Sequence, residues 1–197
     1  MQNLLISLLI LILFSCGTES ETVSNITIED APEFFKLADS SAIVLVKTLG
    51  GRLTEVIQSD GVIKAIDVCK EEAYDIADSL KVRVGENISI KRVSDKYRNP
   101  KNAPDKYEKE ALEWFENQLL AKNVLPKFYG QRISRNNRDI LRFYKPMKMQ
   151  TKCLLCHGDE DTRLPEVSKR INNHYPNDLA KNYKDGDFRG LIRVEVQ

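Results

Sequence analysis

The chain contains the pentapeptide CLLCH at residues 153–157, and this stretch decides what the rest of the fold must enclose. Its C-x-x-C-H spacing is typical of c-type haem attachment, because two thiols three residues apart can each add to one vinyl group of the porphyrin. The histidine that follows would then lie beneath the iron and bind it from one face. We therefore expect one covalently bound haem c, held by Cys153, Cys156 and His157.

Two other kinds of site also use a C-x-x-C pair, and the residues alone leave them open. A thiol–disulfide redox pair is expected at a strand-to-helix turn of a βαβ unit, whereas this pair follows a segment rich in Lys and Met. A zinc site needs two further ligands at matching spacing. The remaining candidates are Cys16, Cys69 and His174, and none belongs to a second C-x-x-C or to an H-x-x-x-H motif. The pattern therefore favours haem.

The first residues of the chain, MQNLLISLLILILFS, indicate export. Their apolar run has the length of a secretory signal core and is short for a bilayer span. Cys16 follows in a context that resembles the bacterial lipobox, so we expect residues 1–15 to be a lipoprotein signal peptide and Cys16 to carry the lipid. The segment before the apolar run lacks the usual basic charge, and an uncleaved anchor helix is the alternative. Both interpretations predict a protein tethered to a bacterial membrane on its periplasmic or cell-surface side.

The rest of the chain is expected to be a flexible tether over residues 16–31 and one domain over residues 32–197. That domain is long enough to bury an ordinary core. The charges nearly cancel, with 30 basic and 29 acidic residues in the whole chain. Because no basic block with interleaved aromatic residues is present, the composition gives no support for nucleic acid binding.

The apolar pattern predicts an α+β fold. Two long N-terminal helices are expected, over residues 32–58 and from Asp60 to about Leu80, and a further helix over residues 105–121. Cys69 lies midway along the apolar stripe of the second helix, so it should be buried. Strands are predicted by alternating or β-rich segments at residues 88–91, 126–133, 138–147 and 190–196. Helices followed by mixed strands argue for an antiparallel sheet.

Several separated motifs, in a fixed order, give the chain its resemblance to a known family. They are AIDVC at 65–69, YRNPKNAPD at 97–105 with Glu108 after it, CLLCHG at 153–158, YPND at 175–178 and YKDGDFRG at 183–190. With them, residues 35–197 resemble a family of haem c-binding domains with a PAS-like fold, long catalogued as a domain of unknown function. One departure is Asn182, where the family usually has glycine.

The resemblance implies a ligand set that the composition does not. It implies that the iron is held by His157 and by the thiolate of Cys69, which is also the only cysteine left without an assignment. Other candidates for the second ligand are His174, Met147 and Met149. Arg98 is a candidate for binding a haem propionate, since its guanidinium fork matches a carboxylate, and fixing its own loop is the equal alternative.

These expectations lead to three functions. The first is a membrane-tethered cytochrome with both axial ligands in place, which acts in electron transfer or redox sensing with an unknown redox or signalling partner and is not an enzyme. The second is a haem-based sensor of NO or CO, which signals through a separate partner. The third is a peroxidase-type enzyme, which would need an open iron site and a base.

Overall fold

The computed structural model describes residues 21–84, 87–136 and 138–197. In these ranges the strands are β1 Glu21–Asn25, β2 Ile88–Val93, β3 Tyr129–Arg135, β4 Arg138–Lys148 and β5 Phe188–Val196. The helices are α1 Pro32–Ser59, α2 Gly61–Glu71, α3 Ala73–Val84, α4 Lys106–Lys122, α5 Leu154–His157 and α6 Pro165–His174. The predicted signal peptide and Cys16 lie outside the described residues. The predicted α+β class is confirmed, with one five-stranded antiparallel sheet in the order β1-β3-β4-β5-β2.

Part of the segment expected to be a flexible tether is a strand. Glu21–Asn25 forms β1, which pairs antiparallel with β3 at the edge of the sheet. Ile26, which follows it, is buried in the core. The folded unit therefore begins before residue 32. Sequence alone does not show this, because ETVSN is polar and an edge strand needs little apolar surface.

The second predicted helix is two helices. α2 ends at Glu71 and α3 begins at Ala73. Glu72 between them stays close to helical geometry, and its carboxylate accepts two hydrogen bonds from Arg52 of α1, at 2.9 and 3.1 Å. The Arg52–Glu72 pair therefore holds the junction of α2 and α3 against α1. Cys69, expected to be buried, is only partly buried near the end of α2.

Helices cover both faces of the sheet. On one face, Phe35, Ala42 and Leu45 of α1 pack against Phe143 of β4 and against β2 and β5. On the other, α4 packs against Tyr144, Val93 and Leu191. α4 begins with a capping box, in which Asp105 accepts from the Glu108 amide and Glu108 accepts from the Asp105 amide. The core therefore consists of two layers, with the sheet between them.

A β-bulge interrupts the pairing of β4 with β5. Met147 pairs with Gly190, whereas Lys148 pairs with Phe188, so Arg189 is an extra residue in β5. Gly190 has φ +132°, and a Cβ at this position would collide with the carbonyl oxygen of Val93. Only glycine fits this combination of backbone angle and close approach.

Among the described residues, no helix combines the length and the apolarity that a membrane crossing requires.

Candidate functional site

The C-x-x-C-H motif forms a compact helical turn directly after β4. Thr151–Cys153 is a short 3-10 helix, and α5 continues it through His157. Two buried arginines bind the carbonyl oxygen of Cys156: Arg98 donates through Nη2 at 2.6 Å, and Arg163 donates through Nη1 at 2.9 Å. A short helix leaves its last carbonyls without partners, and these guanidinium groups bind one of them.

His157 is a partly buried, neutral imidazole with one ring nitrogen engaged by the backbone. Its Nδ1 lies 2.8 Å from the carbonyl oxygen of Ala180, which accepts a hydrogen bond and so assigns the proton to Nδ1. Burial, together with the charges of Arg98, Arg189 and Arg92, lowers the pKa of His157 well below its ordinary value. The imidazole is therefore uncharged near neutral pH and keeps the Nε2 lone pair free. Metal-binding histidines in proteins commonly have this arrangement.

The loop after α6 is bound along the motif. The amides of Asn182 and Tyr183 donate to the carbonyl oxygens of Gly158 and His157, each at 3.0 Å. Asn182 has φ +61°, a left-handed conformation that asparagine tolerates better than other non-glycine residues. Its side chain also accepts from the Glu160 amide at 2.9 Å. These contacts give a physical reason why asparagine can stand where the family usually has glycine.

Arg98 fixes this loop. It is 8% exposed, pairs with Asp178 at 3.1 Å, and donates to the carbonyl oxygens of Cys156 and Ala180. These are the contacts of the loop-fixing alternative given above for Arg98. Binding of a propionate by Arg98 stays a prediction without a contact to support it.

A cavity of about 680 Å³ opens between α1, the sheet and the motif. Cys153 and His157 form part of its wall. Its apolar wall includes Ile43, Val46, Leu49, Leu53, Val93, Pro146, Met147, Met149 and Ile192. Gly50 and Gly51 of α1 also line it, and a Cβ at either position would meet no atom within 4 Å. The cavity is within the volume range of about 300–1,000 Å³ that is usual for cofactor and ligand sites.

Cys156 and Cys69, the other two cysteines predicted to hold the haem, lie on the α2 side of the motif. The Cys156 side chain packs with Val62, Ile63 and Ile66 of α2 and with α6, and burial raises the pKa of its thiol. Cys69 is close enough for its charge to raise the pKa of Cys156 further. Neither cysteine is part of the cavity wall. The structure thus brings Cys69 near the motif but leaves it outside the cavity.

The other candidates for the second iron ligand lie in different places relative to the cavity. His174 is held by α2, since its Nε2 lies 2.8 Å from Asp67 and its Nδ1 lies 3.2 Å from Lys70 Nζ. Both ring nitrogens therefore have a partner away from the cavity. Met147 and Met149 do line the cavity, and Met149 is buried.

The cavity residues that were not predicted from the sequence include Arg92 on β2 and Arg189 in the bulge of β5. Arg92 lies in a strand whose residues differ in exposure. The face of the sheet on which its side chain lies depends on the register with β5. Arg189 belongs to a motif that carries the family resemblance, but the motif alone does not indicate that the Arg189 side chain reaches the cavity.

Comparison with known proteins identifies the family to which the chain belongs. The model of the Tll0287-like family matches residues 19–197. The chain belongs to the Tll0287-like family. This confirms the resemblance to a haem-binding family of formerly unknown function. Among solved structures, the Tll0287-like chain is similar to the crystal structure of the cyanobacterial heme-protein Tll0287, with a TM-score of 0.55. The sequences are 21% identical, and the match covers 87% of this chain and 96% of that chain. No curated protein matches the chain.

Proposed function

We propose that the chain is a membrane-tethered c-type cytochrome that carries one covalent haem and works in electron transfer or redox sensing, and that it is not an enzyme. The observation that carries the proposal is His157, a neutral imidazole with a free Nε2, at the wall of a cavity large enough for a cofactor. Membership of a haem-binding family supports it, as does a helix-covered antiparallel sheet, which suits a PAS-like fold.

The residues around the cavity fit a haem. The macrocycle is flat and apolar and carries two carboxylates, and the cavity has aliphatic and methionine walls with basic residues among them. The flat helix surface at Gly50 and Gly51 leaves room for a planar group. The chemistry supplied by a haem here is the one-electron change between ferric and ferrous iron.

Each proposed residue has a defined task. Cys153 and Cys156 would form thioethers, with sulfur bonding to one vinyl carbon and the thiol proton going to the other, a step that needs no oxidant. His157 would bind through Nε2 while Ala180 holds Nδ1–H. Cys69, beside Cys156, would supply the second ligand as a thiolate, which lowers the reduction potential relative to methionine.

Export, the lipid on Cys16 and a redox or signalling partner complete the proposal. Export and lipidation rest on the signal-like segment and on the lipobox resemblance. A peroxidase role is disfavoured because His174, the remaining histidine, has both ring nitrogens engaged with α2.

One observation favours a second candidate, the NO or CO sensor. Cys69 is near the motif but does not line the cavity. If the thiolate does not reach the iron, or leaves it on reduction, one face of the iron is open to a diatomic ligand. A signal would then pass to a separate partner.

The test compares optical and EPR spectra of the haem-matured wild type and of Cys69→Ala, with Lys64→Ala as a control at an exposed position of the same helix. We expect a low-spin thiolate signal that disappears in Cys69→Ala and persists in Lys64→Ala. An unchanged low-spin spectrum in Cys69→Ala would transfer the ligand role to Met147 or Met149.

Two further outcomes separate the candidate functions. A high-spin wild type that binds CO, or a thiolate displaced by CO on reduction, would support the sensor. Absence of haem from the denatured wild-type chain after maturation would refute covalent attachment altogether.

A further inference from the structure

The cavity carries an excess of positive charge. None of the described residues that line it is Asp or Glu, whereas its basic residues are Lys47, Arg92, Lys145, Lys148, Lys152 and Arg189. The lysines are paired or exposed: Lys145 pairs with Asp39 at 2.6 Å, Lys152 donates to Thr54 at 3.1 Å, and Lys47 and Lys148 are exposed. The two arginines have neither a carboxylate partner nor full exposure.

Arg92 and Arg189 present unused donors. Within the described parts of the chain, no hydrogen bond or ion pair is formed by the Arg92 guanidinium, although the side chain is partly buried. Arg189 donates through Nη1 to the Ser94 hydroxyl at 2.7 Å and to the Lys96 carbonyl at 3.0 Å. Its Nε and Nη2 form no hydrogen bond with any described residue.

The two guanidinium groups also act on each other. Burial lowers the pKa of Arg189, and the charges of Arg98 and Arg92 lower it further. Arg98 is neutralised by Asp178, but no described carboxylate neutralises the other two. Partly buried like charges without a counter-charge are costly, so this end of the cavity is suited to an anionic group.

The β-bulge is what brings Arg189 to this place. In regular alternation, Arg189 would share the α4 face with Leu191, and Phe188 would face α1. The extra residue reverses this order, so Phe188 packs with the α4 cluster and Arg189 lines the cavity. Two arginines from adjacent strands thus converge, because β2 pairs with β5.

We propose that Arg92 and Arg189 bind the propionate carboxylates of the haem. This inference rests on the proposed function and assigns the carboxylate end of the cavity to these two residues. The fork of a guanidinium matches the two oxygens of a carboxylate, and each such pair would neutralise one uncompensated charge. Arg98, whose Nε and Nη2 donate to Asp178 and to two carbonyl oxygens, is left to hold the loop.

The test is resonance Raman spectroscopy of the haem-matured full chain, read at the propionate bending bands. These bands report hydrogen bonding to the carboxylates. The variants are Arg92→Gln and Arg189→Gln, with Arg92→Lys to restore the charge. Arg138→Gln is the control, because Arg138 is an exposed β4 residue outside the cavity wall.

We expect the bands to shift in both glutamine variants, to return toward the wild-type position in Arg92→Lys and to stay in place in Arg138→Gln. Identical bands in all proteins would overturn the inference while leaving haem attachment intact. A wild type without covalent haem would instead refute the proposed function and this inference with it. If Arg189→Gln fails to fold, Arg92→Gln decides, since the Arg92 side chain makes no hydrogen bond with any described residue.

Discussion

Replacing the glycine pair of α1 with alanine should have opposite effects on the stability of the haem-free chain and on haem uptake. Gly50 and Gly51 lie inside a helix that runs from Pro32 to Ser59 without ending at them. Glycine in a helix interior is destabilising relative to alanine, because the unfolded chain has more freedom to lose. Both positions line the cavity, so we predict that Gly50→Ala with Gly51→Ala stabilises the haem-free chain but weakens haem uptake.

The magnitude follows from the space around each residue. A Cβ at either glycine would meet nothing within 4 Å, so no clash opposes the gain in helix propensity. That gain is about 0.8–1 kcal/mol for each position, or about 2 kcal/mol for the pair. For a chain of this length, it corresponds to a rise in Tm of about 4–8 °C. The new methyl groups occupy cavity space and keep a planar ligand from the helix backbone.

The assay is urea denaturation of the haem-free chain, followed by circular dichroism, together with the haem content after maturation. Gly190→Ala is the matched control, since the same chemical change there meets a positive φ and the Val93 carbonyl and should destabilise. A double variant less stable than the wild type would refute the assignment of open space at α1. Unchanged haem content would show that the glycines do not contact the haem.

Two further predictions concern buried charges. Asp178→Asn leaves the Arg98 guanidinium without its counter-charge and should lower the free energy of unfolding, measured by urea denaturation, by about 3–5 kcal/mol. Asp185→Asn, at an exposed site, is the control and should lower it little. Equal losses in the two variants would contradict the pairing. The hydrogen bond from Arg170 lowers the pKa of Asp67 from its ordinary value of 3.8 to about 2. Because the folded-state pKa is the lower one, this stabilisation is complete above the ordinary value and is lost as pH falls toward the folded-state value. Thermal melts of the wild type should therefore lose more stability than those of Asp67→Asn as pH falls through this window, and parallel curves would refute the shift.

Much of the fold could be predicted because the relevant signals are local. α1 and α4 have apolar stripes, and Asp105 and Glu108 form a capping box readable from their spacing. α6 was missed, since Val167 and Ile171 are its only buried residues within a polar segment. The strands β2 to β5 were located because they alternate or are rich in β-forming residues.

The candidate site could be predicted only where its chemical groups lie close together in the sequence. The spacing of Cys153, Cys156 and His157 indicates haem, and membership of the Tll0287-like family supports haem binding. The partner of Arg98 is Asp178, far along the chain, so sequence could not choose between loop and propionate. The position of Arg189 depends on a bulge, and a shift of one residue moves a strand side chain to the opposite face.

The turn that carries His157 is held by bonds that require no ligand. Arg98 and Arg163 bind the Cys156 carbonyl, and the Ala180 carbonyl fixes the imidazole. The hydrogen bond to the Ala180 carbonyl would restrain the ring when the charge on a bound iron changes. The rearrangement that accompanies a change of oxidation state is the reorganisation energy, and a small value speeds electron transfer at a given driving force. Under the proposed function, the loop over residues 178–183, remote in sequence from the motif, would therefore help to set the rate of electron transfer.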